Sequence, residues 1–362
     1  MTPDPFEPFD AQMGRRRFLH AGAAGAFLCS IGGERVLVGR RGDAAKADAV
    51  AAQVQRPSAK ARPAEPTEQQ TYVTPTPQPG GRAVEYWIQA TTARWTIVPT
   101  RRDDWHGMAV GGASTFTATV FQQMSPGFAA PVGPAAIPGP TLHAEVGDVL
   151  VVRFRNNLKS LKQAVTMHPH GVKYNPEYDG VYLGDYTRAG GFVEPGEEFT
   201  YTWECVPESV GAWPYHDHGP NHTLNTFRGM FGAIVIRPAG EPVPDVEHIL
   251  FLHQLQPPVT GLRRSFQCIN GRAYAGNTPT LRATTGQEVA VHVIGMDNNF
   301  HDFHIHGHRW KDASGAFVDT PAVGPNETVT ARFVEDNPGR WLYHCHVFSH
   351  QDAGMAGWYL VE

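Results

Sequence analysis

An all-β chain of two β-sandwich domains is what the sequence predicts, on three observations. Glycine and proline are frequent, at 38 and 30 of 362 residues, and helical Lys-Glu-Leu patterning is scarce; this composition suits short strands and many turns. Three blocks recur in the same order in the two halves. Each half also carries strand-like runs at short intervals, as a sandwich requires.

The blocks justify the duplication one by one. PTLHAEVGDVLVVRFRNN (140–157) is echoed by PTLRATTGQEVAVHVIGMDNN (279–299). TMHPHG (166–171) parallels DFHIHG (302–307), and GAWPYHDH (211–218) parallels GRWLYHCH (339–346). The strand runs are VLVVRF, EEFTYTWE and MFGAIVIR in the first half, and VAVHVI, TVTARFVE and AGWYLV in the second. The junction falls near PAGEPVPD, giving a first domain over 82–243 and a second over 244–362. A length of 362 residues suits two domains of about 100–200 residues each.

The N-terminus reads as a separate export and tether segment. GRRRFLHAGAAGAFLCSIGG (14–33) sets Arg15, Arg16 and Arg17 before an apolar run too short to span a bilayer. It resembles a twin-arginine signal, with glycine in place of the usual serine or threonine before the arginines; a disordered basic tail is the plainer alternative. The expected signal region is 1–47, with Ala45-Lys46-Ala47 as a cleavage site, followed by a flexible, disordered linker over 48–81 rich in Ala, Pro and Gln. Export places the protein in the periplasm or outside the cell. Cys29 would leave with the signal, and Phe27 and Leu28 before it do not make a lipobox. The formal net charge is −5 and no basic tract interleaved with aromatics follows, so neither nucleic acid nor a membrane is an expected partner.

Histidine carries the functional signal, with 18 copies. Side chains two apart on a strand share a face, so His168 and His170 point one way, as do His216 with His218, His304 with His306, and His344 with His346. One such pair is common on any polar sheet face. Four at repeat-equivalent places predict a metal centre. His301, three before His304, and Cys345, between His344 and His346, stand out of phase and face the other side. His350 and Met355 follow where the chain can fold back on Cys345. Two histidines, a thiolate and a weak axial methionine form the ligand set of a blue-copper site, although Met355 taken alone reads as a core methionine. The first half has Val165 and Asp217 where the second has His301 and Cys345, which predicts one blue site, in the second domain only. His222 and Met230 follow HDH much as His350 and Met355 follow HCH, and read as leftovers or packing residues.

HPHG, HDH, HDFHIH and HCHVFSHQDAGM, in that order, resemble the four copper motifs of the multicopper oxidases, and the short length is similar to that of the two-domain small laccases of bacteria. The resemblance covers about residues 82–362 and implies cupredoxin-like Greek-key domains with four coppers per active unit. It implies type 1 copper at His301, Cys345, His350 and Met355; type 2 copper at His168 and His304; and the type 3 pair at His170, His216, His218, His306, His344 and His346. It further implies one-electron oxidation of a phenol or aromatic amine, coupled through Cys345 and its flanking histidines to four-electron reduction of O2 to water. Tyr174 and Asp179 match a tyrosine and an aspartate near the cluster, the former a possible electron donor and the latter a proton relay; a core tyrosine and a turn aspartate before Gly180 are the plainer alternatives. A homotrimer with clusters at subunit interfaces is implied as well.

Rival functions have their own signatures. A metal-ion oxidase, for example of Cu(I), often carries methionine-rich segments; here eight methionines do not cluster. A copper nitrite reductase lacks the His-Cys-His strand, and an electron carrier leaves eight histidines without a role. Of the remaining histidines, His20, His106, His143, His222, His248, His253, His292 and His308, most read as surface or packing residues. Cys205 and Cys268 are open between a disulfide and buried free thiols.

Overall fold

The computed structural model describes residues 72–362, together with the backbone of Phe27–Ile31 and Glu34–Val38. Those two short strands pair antiparallel, Phe27 opposite Val38. They fall within the stretch read as an export signal; the rest of that stretch, the cleavage site and the linker up to residue 71 lie outside the described residues.

Two sandwiches follow, each of two sheets. In the first, Glu198–Glu204, Val149–Asn156, Ala83–Thr96 and Thr115–Met124 lie side by side, facing a sheet of Leu142–Glu145, Phe231–Arg237, Gly211–His216 and His168–Pro169. In the second, Phe266–Ile269, Val246–Leu255, Glu288–Gly295 and Thr328–Val334 make one sheet. Leu281–Ala283, Ala356–Val361, Gly339–Cys345, His301–Ile305 and Ala322–Val323 make the other. Each sandwich mixes parallel and antiparallel pairs in the same way: Ile234 lies parallel beside Leu142, and Leu281 parallel beside Tyr359. Strands that neighbour in space but not in sequence are the mark of Greek-key wiring.

The cores follow from alternation. Along Val149–Asn156, Leu150, Val152 and Phe154 are buried, while Arg153 points outward to Glu85. Trp203, Tyr201 and Phe154 fill the first core; Phe303, Tyr343 and Tyr359 fill the second. Phe154 and Phe303 each contribute about 1.5–3 kcal/mol on burial. A third apolar cluster joins Trp95, Phe116 and Phe231 of the first sandwich to Phe251, Leu255 and Phe266 of the second. A polar contact adds to this junction: Glu247 receives His143 at 2.8 Å and Arg237 at 2.7 Å. Burial raises the Glu247 carboxyl, but the bonds from His143, His292 and Arg237 outweigh it and hold the group well below the usual carboxylate range.

Cys205 and Cys268 are free thiols in separate cores, so the disulfide alternative is excluded. Burial pushes the Cys205 thiol up to about 12, which makes it inert. Among the described residues no helix is long and apolar enough to cross a membrane.

Candidate metal centre

Three groups of donors converge among the described residues: His168 with His170 and His216; His304 with His306 and His344; and His301 with Cys345 and His350. Strand register builds the first two. His168 lies directly opposite His216, and His304 opposite His344. Each pair of adjacent strands therefore stacks four imidazoles on one face. In the first set, His168 makes ring contacts with His170, His216 and His218 at 5.0–5.4 Å. In the second, His304 does the same with His306, His344 and His346 at 5.1–5.7 Å. Among the described residues no ring contact joins a histidine of one set to a histidine of the other.

Hydrogen bonds orient the rings. His168 Nδ1 donates to the Asp179 carbonyl, His216 to that of Asp217, His304 to that of Asp319 and His344 to that of Cys345, all at 2.8–2.9 Å. A carbonyl only accepts, so these rings carry their proton on Nδ1 and present a bare Nε2. The Nε2 atoms of His170 and His216 lie 3.0 Å apart, and those of His306 and His344 3.1 Å apart. Burial and the neighbouring imidazoles lower His170, His218 and His344 to about 4, and His216 to about 3. All four are neutral at pH 7, the form that binds a metal.

Cys345 faces the opposite way from its neighbours. It lies opposite Phe303 in the ladder and is fully buried, with Tyr343 and Phe303, in the second core. His301 Nδ1 stands 3.8 Å and His350 Nδ1 3.7 Å from its sulfur. Burial raises the thiol, but these two imidazoles outweigh it and bring Cys345 down to about 6, which leaves it a thiolate at neutral pH. Met355 is buried beside them and its carbonyl accepts from the Cys345 amide at 3.1 Å. Gly354 precedes it at φ +120°, where a Cβ would meet that of Ala273 at 2.8 Å, so the turn into Met355 requires glycine.

The two acid–base candidates also meet the first set. The Asp179 carboxylate is 3.1 Å from His168 Nδ1, and the Tyr174 ring stands edge-on to His168 at 5.8 Å. Gly180 holds this turn at φ +72°; a Cβ there would fall 2.1 Å from the Met167 carbonyl oxygen. Burial, then the Asp179 charge, raises the Tyr174 phenol above its ordinary value.

Several site residues carried no usable signal in the sequence. Asp297, four residues before His301 across a turn, accepts from its Nε2 at 3.2 Å. Asp319 reaches His304 only through its backbone. Trp105, from a loop of the first sandwich, stacks on His344 at 6.2 Å and lies tilted against His106 at 4.4 Å. Two of the histidines left without a role have structural ones: His308 is clamped between the His306 carbonyl and buried Glu335, and His253 accepts from the Gly271 amide. His222 does not occupy the place of His350. It stacks on His218 at 4.5 Å, while Asn225 takes that place. The first-half loop is three residues longer, so equal spacing from HDH and HCH was misleading.

The donor chemistry fits copper. A buried thiolate with two imidazoles suits a blue site, and all-imidazole sets suit copper generally. Two cupredoxin-like sandwiches bearing such sets are the architecture of a copper protein. The chain belongs to the multicopper oxidases: family profiles described as multicopper oxidase match residues 134–241 and 251–362. A solved structure of a blue copper oxidase from Nitrosomonas europaea is similar, with TM-score 0.57 and 25% identity over 78% of this chain and 86% of that one. Curated relatives include a probable nitrite reductase-hydroxylamine oxidoreductase fusion protein of Kuenenia stuttgartiensis, 30% identical over 62% of this chain and 28% of its own. Another is the human ferroxidase HEPHL1, 27% identical over 62% of this chain and 23% of its own. The chain thus spans about a quarter of the length of these relatives.

Proposed function

We propose that this multicopper oxidase is laccase-like, taking electrons singly from phenols or aromatic amines and reducing O2 to water. The observation that carries this reading is the strand Gly339–Cys345, which joins a thiolate-centred donor set to an imidazole cluster through one peptide segment. We assign type 1 copper to His301, Cys345 and His350 with Met355 axial, type 2 to His168 and His304, and the type 3 pair to His170, His216, His218, His306, His344 and His346. Copper held there would supply a one-electron acceptor at the first site and a multi-electron donor to O2 at the others.

The chain's own residues do the rest. Carbonyls of Asp179, Asp217, Asp319 and Cys345 keep the ring protons on Nδ1 and aim the Nε2 lone pairs inward. Asp297 orients His301. Asp179 stands where it can hold and pass a proton beside His168, with Tyr174 near it. An Asp179→Ala protein is expected to keep its copper while turnover falls about 10–100-fold. Full turnover at normal copper content, measured by O2 uptake and metal analysis, removes the relay role.

Each sandwich offers half of an imidazole cluster, and His306 and His346 are exposed in the isolated chain. This supports a homotrimer in which the first domain of one subunit, 82–243, meets the second domain of its neighbour, 244–362. Export to the periplasm or beyond rests on the arginine triplet and the apolar run after it.

The ferroxidase relative favours a second reading, oxidation of a metal ion. O2 consumption with phenols, aromatic amines, Cu(I) and Fe(II), beside nitrite reduction and metal analysis, separates the readings. Fastest turnover with phenols supports the first. A preference for a metal ion, or nitrite reduction with no O2 uptake, overturns it.

A further inference from the structure

The first sandwich holds a buried polar cluster at the place matching the blue site of the second. The backbone correspondence is residue by residue. The Asp217 amide donates to the Met230 carbonyl at 3.1 Å, as that of Cys345 does to Met355 at 3.1 Å. The Met230 amide donates to Asn225 at 3.0 Å, as that of Met355 does to His350 at 3.1 Å. Asp217 therefore stands for Cys345 and Asn225 for His350. Where Cys345 Sγ and His350 Nδ1 lie 3.7 Å apart, Asn225 Nδ2 donates to Asp217 Oδ2 at 2.8 Å.

We infer that this Asp217–Asn225 clasp positions His216 and His218 for copper, doing by hydrogen bonds what a metal does in the second sandwich. The inference rests on the assignment of these histidines to the cluster. Asp217 and Asn225 are both fully buried. Asp217 Oδ1 accepts from the amides of Thr166 at 2.8 Å and Gly219 at 3.1 Å, and Asn225 Oδ1 accepts from Gln163 at 2.9 Å. A buried carboxylate is tolerated only when its oxygens are satisfied, so the clasp holds its geometry firmly. Both histidines hang from it. His216 donates to the carbonyl of Asp217 itself, and the His218 amide donates to Thr166 Oγ1 at 3.1 Å, on the residue whose own amide is held by Asp217. His218 Nδ1 has no hydrogen-bond partner among the described residues, so its aim depends on its backbone and on the His222 ring stacked against it at 4.5 Å. In the second sandwich the matching side-chain contacts, among the described residues, are the 3.7 and 3.8 Å approaches of His350 and His301 to the Cys345 sulfur, longer than the 2.8 Å bond between Asn225 and Asp217. The loop behind the first half of the cluster is thus held by a side-chain hydrogen bond where the second sandwich sets a thiolate and an imidazole.

The test is a swap, read by copper titration of the metal-free full-length protein. Asp217→Asn sets two amide groups against each other and is expected to weaken copper binding at the cluster about 10–100-fold, while the blue absorption from Cys345 stays unchanged. The double variant Asp217→Asn with Asn225→Asp reverses the donor and the acceptor, keeps the Gln163 bond, and is expected to restore cluster binding to within about threefold. A single variant with normal cluster affinity overturns the inference, as does a swap that fails to rescue while its blue site and melting profile stay normal. Absence of copper binding in the unaltered protein instead overturns the functional reading beneath it.

Discussion

Replacing Cys345 by serine is expected to abolish the blue absorption and to lower oxidase turnover at least about 1,000-fold, because a hydroxyl cannot supply the thiolate that a blue site requires. Copper held by the eight imidazoles should remain, since His344 and His346 point away from Cys345 into the other donor set. Serine is close to cysteine in volume and the position is fully buried, so the second core should keep its packing. The measurements are copper content, visible absorption and O2 uptake on the same sample. Persistence of the blue colour would place the site elsewhere; loss of all copper would show that the two donor sets do not load independently.

Mixing two inactive chains is expected to recover activity. A His168→Ala/His170→Ala chain lacks one half of the cluster, and a His306→Ala/His344→Ala chain lacks the other. Each alone should be inactive. If a cluster forms between the first domain of one subunit and the second domain of the next, random assembly of equal amounts completes about a quarter of the sites. Refolding the two chains together should therefore give about a quarter of normal O2 uptake per site. If both halves came from one chain, no mixture would turn over. Light scattering at three chain masses supports the same assembly, and an active monomer contradicts it. The effect is large because the chain's two imidazole sets make no ring contact with each other among the described residues, so neither set alone gathers the full complement of ligands.

Much of the site was legible because strand alternation is a local rule. His304 and His306 share a face, and Cys345 leaves the face of His344 and His346, from spacing alone. The duplicated blocks likewise announced two sandwiches. Residues that join the site from elsewhere left no such trace. Asp297 reaches His301 across a turn, and Trp105 reaches His344 from the other sandwich. Asn225 was hidden by loop length: residues five after the central position of each motif are His222 and His350, but with three extra residues in the first-half loop His222 falls short of the matching place and Asn225 fills it.

By itself, then, the sequence determined the class of fold and the side of the strand on which each donor stands, since both follow from a period of two residues. Tertiary structure decided which donors meet. The register that sets His168 against His216 and His304 against His344 depends on long-range pairing between strands, as does the choice of a carboxylate clasp in one sandwich and a thiolate set in the other. Such pairings depend on sheet order and on how far each loop reaches, and neither is written in the alternation of a single strand.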